Sequence, residues 1–582
     1  MSTASRRRSQ TIRLRICFLV IAFVLSLFAA RLFQLQGIDA NAYAARAVAE
    51  GSRTVDLHAD RGEIVDRNGT PLATSIDAVS ITADPSMTDT KAPQIATVLV
   101  DTLGLDYFDT VEKLRKPKSR FVYLARKVPT WEADKAQARL KKAKLAGVFT
   151  EPDSLRTYPG DALGANVIGL VGSDGKGAAG LERAFEKKLS GKDGKATYEV
   201  SPAGERIPLA DNTVVEPKAG IGVKTTIDRD LQWYADRRLA SAVKNTGSGW
   251  GAAVTMDVKT GQILQLSQLP TFNANKPSTI SGDDINARGV QNVYEPGSVQ
   301  KVITMAALAD KGLITPTTKI KVPSKLDIDD FEIGDAWNHG TIKLTTTGVI
   351  ARSSNLGTVL ASQRLSDKQL YTYLKKFGYG SQTGIELPGE SKGILKKPEL
   401  WSRANHATIA FGQGISVTSM QMMGAVGAIA NGGTYVQPTL VSGYLDGDGA
   451  ETAAPVPKTH RVVSTSAAAM VTTMMEAVVR DGGTATTAQI PGYRVAGKTG
   501  TAWRVDPDTG RYVHGQNTVS FMGFAPADKP RFVTYVVLDN PQTSASGGGT
   551  AAPVFRDIMS SALQRYGVPP TGVRSTKPPL KW

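Results

Sequence analysis

Two side chains that could act as a nucleophile and its base lie three residues apart in the middle of the sequence. Ser298 and Lys301 follow the chain-breaking pair Pro296-Gly297, and an apolar helix is predicted from Ser298 to about Lys311. The serine would lie at a helix N-terminus, where free N–H groups and the helix dipole favour a developing oxyanion. The lysine amine shares its face and can take the serine proton if burial or neighbouring charge lowers its pKa. The alternative is an N-cap serine beside a solvated lysine.

Two further motifs follow in the chain. Ser353 and Asn355 place a hydroxyl and an amide two residues apart, a pair that could bridge Lys301 and orient a peptide, although both residue types also decorate loops. The third motif is Lys498-Thr499-Gly500-Thr501.

A phosphate-binding loop is the competing interpretation of that third motif. Gly492–Thr499 fits the pattern G-x-x-x-x-G-K-[ST], which requires a helix that begins at the lysine. The residues after Lys498 are poor helix openers, and residues 493–496 and 518–523 resemble paired strands. We therefore predict that Lys498 lies in a strand and holds no nucleotide.

An apolar segment near the N-terminus indicates the compartment. Residues 12–33 would span about 33 Å as a helix, enough to cross a lipid bilayer. Arginines stand before it at positions 6, 7 and 8 and near its start at positions 13 and 15. The first 11 residues are therefore predicted to be a cytoplasmic tail, and the chain after the segment is predicted to be extracytoplasmic. The alternatives are a buried soluble helix and a signal peptide, for which Ala40-Asn41-Ala42 lies far beyond the apolar run.

Composition narrows the function classes. The chain has 582 residues and a net charge of +16, with 41% hydrophobic and 21% charged residues, which is typical of a globular protein. Its single cysteine excludes an intrachain disulfide, and five scattered histidines show no metal-ligand spacing. No basic stretch interleaved with aromatics supports nucleic-acid binding. We expect no cofactor and no metal.

The remaining chain divides into two predicted domains and a tail. Residues 34–220 mix short strands with charged helices, among them 111–118 and 131–144, and carry no catalytic motif, so we predict an elongated, non-catalytic pedestal domain. Residues 221–566 predict a mixed α/β domain, in the α+β sense of an antiparallel sheet flanked by helices, with a helix start at 224–228. The proline-rich residues 567–582 are predicted to be a loosely held tail.

In their order, Ser-x-x-Lys, Ser-x-Asn and Lys-Thr-Gly are the motif set of the serine penicillin-recognising enzymes. The sequence strongly resembles the class B penicillin-binding proteins of the cell-division (FtsI) type, from the apolar segment to about residue 565. Residues 61–69 (RGEIVDRNG) are similar to that family's N-terminal signature, and 156–159 (RTYP) and 180–182 (GLE) to its later non-catalytic motifs. Residues 226–228, 257–261 and 411–414 are similar to its transpeptidase landmarks.

The resemblance implies a peptidoglycan D,D-transpeptidase that is acylated by stem peptides or β-lactams at Ser298. Lys301 would be its base, while Ser353 and Asn355 would assist proton transfer and hold the peptide. Lys498, Thr499 and Thr501 would receive the substrate carboxylate beside Gly500, and backbone N–H groups of Ser298 and Thr501 would form the oxyanion hole.

The resemblance also implies a setting for the enzyme. The pedestal would be of the dimerisation type, and the single-pass membrane protein would act in septal wall synthesis. Its partners would be an FtsW-type glycosyltransferase and other membrane proteins of the division complex.

Several related activities remain as alternatives. An elongation-type transpeptidase would share all of these motifs. A carboxypeptidase or β-lactamase would pass the acyl group to water, but no Glu-x-x-Leu-Asn stands between Asn355 and Lys498. A β-lactam sensor would need a cytoplasmic effector, and a bifunctional enzyme would need an acidic glycosyltransferase motif after the anchor.

Overall fold

The computed structural model describes residues 3–38, 52–199, 213–329, 331–506, 509–543 and 546–582. They belong to two compact units, one formed by Met1–Ala59 with Lys192–Lys218 and the other by Asp60–Gly191 with Ala219–Trp582. The small-residue site at 40–42 lies outside the described residues.

The helices, in chain order, are α1 (Thr3–Phe33), α2 (Pro85–Thr88), α3 (Ala92–Leu103), α4 (Tyr107–Leu114), α5 (Thr130–Lys142), α6 (Ala165–Ile168), α7 (Gly180–Ala184), α8 (Glu186–Leu189), α9 (Arg229–Thr246), α10 (Arg288–Gln291), α11 (Gln300–Asp310), α12 (Thr346–Ala351), α13 (Asn355–Ser362), α14 (Asp367–Lys376), α15 (Arg403–Phe411), α16 (Ser419–Ala430), α17 (Thr465–Val479) and α18 (Ala552–Arg565). The strands are β1 (Ser52–Leu57), β2 (Ile64–Val65), β3 (Pro71–Ala83), β4 (Val122–Pro129), β5 (Val148–Thr157), β6 (Gly194–Glu199), β7 (Thr213–Val215), β8 (Gly222–Thr225), β9 (Trp250–Asp257), β10 (Ile263–Leu269), β11 (Lys319–Val322), β12 (Leu326–Ile328), β13 (Phe331–Ile333), β14 (Ile342–Thr345), β15 (Thr434–Val436), β16 (Val441–Leu445), β17 (Glu451–Ala453), β18 (Thr459–Arg461), β19 (Ala496–Val505), β20 (Tyr512–Ala525) and β21 (Phe532–Asp539).

The smaller unit contains the apolar helix and a short sheet. The apolar stretch Thr11–Ile38 covers most of α1 and the π-helical turn after it, and it is long enough to cross a membrane. Strands β1, β6 and β7 form an antiparallel sheet in that order. The hydroxyls of Thr54 and Thr197 lie 3.0 Å apart across it.

The larger unit has a mixed α/β fold built on a five-stranded antiparallel sheet. Its strand order is β10-β9-β21-β20-β19, so β19 forms one edge. Helices α9 and α18 pack together against β10 and β21, while α16 packs on β21 and α17 on β19. The inward side chains of β21 are almost completely buried, as in Phe532, Val536 and Leu538. The sheet therefore has helices packed around it, as the sequence predicted.

A second sheet contains strands from both sides of residue 220, the boundary predicted between the pedestal and the catalytic domain. Its order is β17-β16-β8-β2-β3-β4, and β5 also pairs with β3. The pair β2–β8 is parallel, with Ile64 opposite Val223 and Val65 opposite Lys224. Strands from the predicted pedestal and from the predicted catalytic domain thus share one hydrogen-bonded ladder.

A buried ion cluster fixes the segment that follows β5. The carboxylate of Glu182, whose side chain is 0% exposed, accepts hydrogen bonds from Arg61 Nε and Arg156 Nε, each over 2.7 Å. Arg61 also donates to Glu186 over 2.7 Å. Buried charges need such partners because water no longer solvates them. The three non-catalytic motifs therefore meet in one place.

A separate small core lies under α3, α4 and α5. Its fully buried side chains include Ile95, Leu99, Leu114 and Leu140, and they pack against β3 and β4. This cluster gives the N-terminal part of the larger unit its own hydrophobic centre.

Three local predictions are corrected. The helix predicted at 111–118 begins earlier, because Asp106 caps it by accepting from Asp109 N over 2.8 Å, and it ends at Leu114. Residues 222–225 form β8, so the next helix begins only after Asp228, which caps α9. The tail is not loose: residues 568–582 make hydrogen bonds along the larger unit.

Candidate active site

Ser298 lies in a single 3₁₀ turn, Gly297–Val299, that leads directly into α11. Gly297 has a φ of +53°, and a Cβ there would lie 2.6 Å from the backbone oxygen of Thr501. A Cβ on Gly500 would lie 2.3 Å from Ser520 Oγ on β20, and also 3.0 Å from Val299 Cγ2 and 3.2 Å from the Pro296 oxygen at the turn. Glycine is thus needed at both positions for the turn and β19 to approach each other closely. This brings the backbone of Ser298 beside that of Thr501.

Lys301 is in the first turn of α11 and its side chain is completely buried. Its Nζ donates to the Ser353 backbone oxygen over 2.6 Å and to Asn355 Oδ1 over 2.7 Å. Burial lowers the pKa of Lys301 to about 7, against the smaller raising effect of the Asp335 carboxylate. An ordinary lysine is protonated at neutral pH, whereas this amine is present in both forms.

Ser353 lies in the short connection between α12 and α13, and Asn355 is the first residue of α13. The N–H of Ser353 donates to the Ile350 oxygen over 3.2 Å, and the N–H of Ser354 to the Val349 oxygen over 2.9 Å. Ser353 has a φ of +59°, which is rare for a residue with a side chain and costs on the order of 1 kcal/mol. In this strained conformation both of its oxygens face Lys301.

Lys498 approaches the same serine from β19. Its Nζ donates to Ser353 Oγ over 2.9 Å and to the Thr499 backbone oxygen over 3.0 Å. Burial lowers the pKa of Lys498 well below its usual value, and repulsion from Lys301 lowers it further. The residue pairs with Met522 within the ladder β19–β20, and no helix begins at it. The predicted strand is confirmed, and a phosphate-binding loop is excluded.

The three residues after Lys498 differ in their exposure. Thr501 is exposed, whereas Thr499 is 8% exposed and its hydroxyl lies 3.0 Å from the hydroxyl of Thr484. Side chains alternate along a strand, so Thr499 and Thr501 share one face of β19. The structure thus brings together the lysine and serine motifs, with Thr501 open to a ligand.

Asp335 supports the Ser353–Asn355 segment and was not found from the sequence. Its side chain is 0% exposed, and it accepts from Ser354 Oγ over 2.7 Å and from the N–H groups of Asn355 and Leu356 over 2.5 and 3.1 Å. His339 Nε2 lies 3.0 Å from the same carboxylate. Nothing in a loop some twenty residues upstream signals this contact.

Glu295 was also missed, although a charged residue directly before Pro-Gly-Ser was a visible signal. Its carboxylate accepts from the N–H of Gly414 over 2.7 Å and from the hydroxyl of Tyr512 over 3.0 Å. Burial raises the pKa of Glu295 to about 7. The carboxylate therefore ties the segment just before the Gly297–Val299 turn to residues 411–414 and to β20.

No group of three or more His, Cys, Asp or Glu side chains with metal-binding geometry occurs in the described ranges. What the site offers is a half-buried serine hydroxyl, a buried amine that is partly neutral and a second buried amine. These groups are suited to acyl transfer through a serine ester.

The chain matches two family models. The penicillin-binding protein transpeptidase domain covers residues 251–560, and the penicillin-binding protein dimerisation domain covers residues 56–225. The first range contains all three motifs, and the second contains the Arg61, Arg156 and Glu182 cluster.

Curated relatives match the chain over nearly its whole length. Penicillin-binding protein PbpB of Mycobacterium tuberculosis is 36% identical over 94% of this chain and 84% of that protein. Peptidoglycan D,D-transpeptidase FtsI of Escherichia coli K12 is 32% identical over 95% of this chain and 91% of that protein.

Two solved structures are similar in fold. Penicillin-binding protein 3 of M. tuberculosis, complexed with ampicillin, superposes with a TM-score of 0.72 at 32% identity and covers 91% of this chain and 100% of that chain. A peptidoglycan synthetase of Bifidobacterium adolescentis gives a TM-score of 0.73 at 31% identity, with the same coverage of both chains.

Proposed function

The chain belongs to the penicillin-binding protein transpeptidase family, and from that premise we propose that it is a peptidoglycan D,D-transpeptidase with Ser298 as its acylated nucleophile. The observation that carries the residue assignment is the meeting of the three motifs at Ser353. Lys301 reaches it from α11, and Lys498 reaches it from β19. Residues scattered over 200 positions thus form one cluster beside the serine turn.

Acylation begins when Ser298 Oγ attacks the carbonyl of the penultimate D-Ala of a stem peptide. The neutral amine of Lys301 takes the serine proton, which its lowered pKa permits at neutral pH. The C–N bond to the terminal D-Ala breaks, and its nitrogen leaves with a proton relayed through Lys301 and the Ser353 hydroxyl. The peptide remains as an ester on Ser298.

The charge that develops on the carbonyl oxygen is held by backbone N–H groups of Ser298 and Thr501. Each such donor lowers the barrier by about 3 kcal/mol in comparable sites. Lys498, with Thr499 and the exposed Thr501, receives the substrate carboxylate, while Asn355 holds the peptide. The close approach of Gly297 to Thr501 supports this arrangement.

The second half-reaction passes the acyl group to an amine of a neighbouring stem peptide. That amine attacks the ester carbonyl and loses a proton to Lys301. The C–O bond to Ser298 then breaks, and Lys301 returns the proton to Ser298 Oγ, which leaves the cross-link and the free enzyme. A β-lactam enters the same first step and stays attached, because its ring nitrogen remains tethered to the acyl group.

We infer the setting of the enzyme from α1 and from its relatives. The apolar stretch Thr11–Ile38 anchors the chain in the cell membrane, with the arginine-flanked N-terminus in the cytoplasm and the catalytic unit outside. We propose that the enzyme acts at the division septum beside an FtsW-type glycosyltransferase and other division-complex membrane proteins, and its likeness to a relative named FtsI supports this proposal. A fluorescent N-terminal fusion that labels the side wall uniformly would argue against this role.

The catalytic proposal is tested with the detergent-solubilised full chain. We expect a fluorescent penicillin to label the wild type and mass spectrometry to place the adduct on Ser298. Ser298→Ala should fold, as judged by its melting curve, and take no label. With polymerised glycan strands, the wild type should release D-Ala and form cross-linked dimers. Release of D-Ala without any dimer would indicate a carboxypeptidase, and a labelled Ser298→Ala would refute the nucleophile.

A further inference from the structure

The tail, residues 567–582, runs across the larger unit close to the elements that carry the catalytic motifs. At its start, Tyr493 Oη donates to the Val568 oxygen over 2.6 Å. The N–H of Thr571 then donates to the Gly492 oxygen over 2.9 Å. These contacts lie a few residues before β19, the strand of Lys498.

The last five residues of the tail, 578–582, bind to β14 and to the start of α12. Thr345 donates its Oγ1 proton to the Pro579 oxygen over 2.6 Å and its N–H to the Leu580 oxygen over 3.1 Å. A β-bridge pairs Lys581 with Leu344. The tail therefore adds a backbone-paired segment to the edge of β14.

The same five residues also contact the segment that follows α17. Arg480 donates to the Pro578 oxygen over 2.7 Å. Four residues further along the chain, the hydroxyl of Thr484 lies 3.0 Å from that of Thr499. The end of the tail thus bridges the start of α12 and the segment that supports Thr499.

A rigid path leads from this contact to the chemistry. Thr345 is the N-cap of α12, where it accepts from Gly348 N over 3.0 Å. The N–H groups of Ser353 and Ser354 donate hydrogen bonds to carbonyls in the last turn of that helix, those of Ile350 and Val349 respectively. Ser353 follows Gly348 by five positions, which corresponds to about 1.4 helical turns or about 7.5 Å along a helix axis. A shift of the N-terminus of α12 must therefore move Ser353.

We propose that residues 578–582 are a positioning element of the transpeptidase site, which holds Ser353 and Asn355 in place for Lys301 and Lys498. Thr345 and Arg480 are its anchoring residues. The inference rests on the catalytic roles proposed above for Ser353 and Asn355, and it adds a part of the chain that lies outside the matched transpeptidase domain.

Gly348 provides a way to uncouple the tail from the helix. A Cβ built on Gly348 would lie 1.9 Å from the Leu580 oxygen. Because this oxygen is a backbone atom, the clash can be relieved only if the tail itself moves. Without the tail that clash disappears, and alanine is the better helix former. The same substitution should therefore have opposite effects on stability in the full and the shortened chain.

The test compares four solubilised chains that carry the membrane helix: wild type, a chain ending at Thr576, Gly348→Ala, and both changes together. We expect truncation and Gly348→Ala each to lower the acylation rate constant for a fluorescent penicillin at least tenfold, with the non-covalent Kd within threefold. The double variant should be no slower than the truncation alone. Gly348→Ala should lower Tm in the full chain and leave it equal or higher in the shortened one.

Two controls and one mild variant complete the test. Gly340→Ala, in open space, and Val573→Ala, an exposed tail residue, should acylate at the wild-type rate. Wild-type acylation by the folded truncation, or additive effects of the two changes, overturns the inference. If both variants unfold, Arg480→Gln decides, because an unchanged rate constant there refutes the positioning role. A wild type that takes no label at Ser298 would instead refute the proposed function.

Discussion

Lys301 and Lys498 donate hydrogen bonds to one atom, the Oγ of Ser353, over 3.4 and 2.9 Å. Both amines are fully buried, so two ammonium groups at this distance would repel each other with little screening by water. The hydroxyl of Ser353 thus lies between two buried amines, and the repulsion between their charged forms favours the neutral form of each. A substrate carboxylate changes this balance, because a bound anion raises the pKa of the lysine that faces it.

The pKa of Lys301, lowered to about 7 by burial, predicts the pH dependence of acylation. The base must be neutral, so the acylation rate constant should rise with pH through about 7. Two pH units below that value about one amine in a hundred is neutral, and the rate should fall accordingly. Stopped-flow acylation between pH 5 and 9 measures this dependence, and a flat profile would exclude Lys301 as the base.

Lys301→Arg should lower the acylation rate by orders of magnitude and keep penicillin binding, since a guanidinium group does not deprotonate usefully.

Lys498→Ala should slow acylation about ten- to a hundredfold, because a partly desolvated, charge-assisted contact contributes about 1.5–3 kcal/mol. A penicillin with a methyl-esterified carboxylate should react similarly slowly with the wild type. Combining the two changes should add little, since the interaction is already absent. Rate constants for the four combinations form the cycle. Fully additive losses would mean that Lys498 does not face the carboxylate.

Asp335→Asn should act on both the geometry and the proton balance of the site. The carboxylate holds the N–H groups of Asn355 and Leu356, so the maximal acylation rate should fall about tenfold or more. The same charge raises the pKa of Lys301, so its removal should move the acid limb of the rate profile to lower pH. A fall in rate without any shift of the limb would reduce Asp335 to a structural role.

Glu182→Gln should destabilise the larger unit by about 3 kcal/mol, because Arg61 and Arg156 lose the buried carboxylate that both bind. Glu186→Gln is the matched control, since that side chain is 28% exposed and contacts only one of the two arginines. Differential scanning calorimetry should show a clearly lower Tm for the first variant and a small change for the second. Equal Tm values would contradict the importance of the cluster.

The local chemistry of the site could be predicted from spacing, whereas its long-range contacts could not. Ser298 and Lys301 lie three residues apart, so a helix start alone places them together. The contact of Lys498 with Ser353 depends on the packing of α17 against both α12 and β19, which no short sequence pattern encodes. Only the resemblance to a family indicated this contact. Asp335 carries no signal because two of its partners are backbone N–H groups, which any residue can supply, and they come from a distant part of the chain. The prediction of a loosely held tail was wrong for the same reason. The tail is held through the backbone carbonyls of Pro578, Pro579 and Leu580, which carry no sequence signal.

The parallel pairing of β2 with β8 limits how this protein can be dissected. A fragment that begins at residue 221 would keep β8 but lose β2, along with the hydrogen bond from Arg67 Nη1 to Tyr566 Oη over 2.8 Å. Strand β8 would then expose the backbone groups that pair with β2 around Val223 and Lys224, and such an open edge is a template for association with other chains. We expect such a fragment to aggregate even though it contains Ser298, Lys301 and Lys498, because the N-terminal region supplies the strand that covers β8.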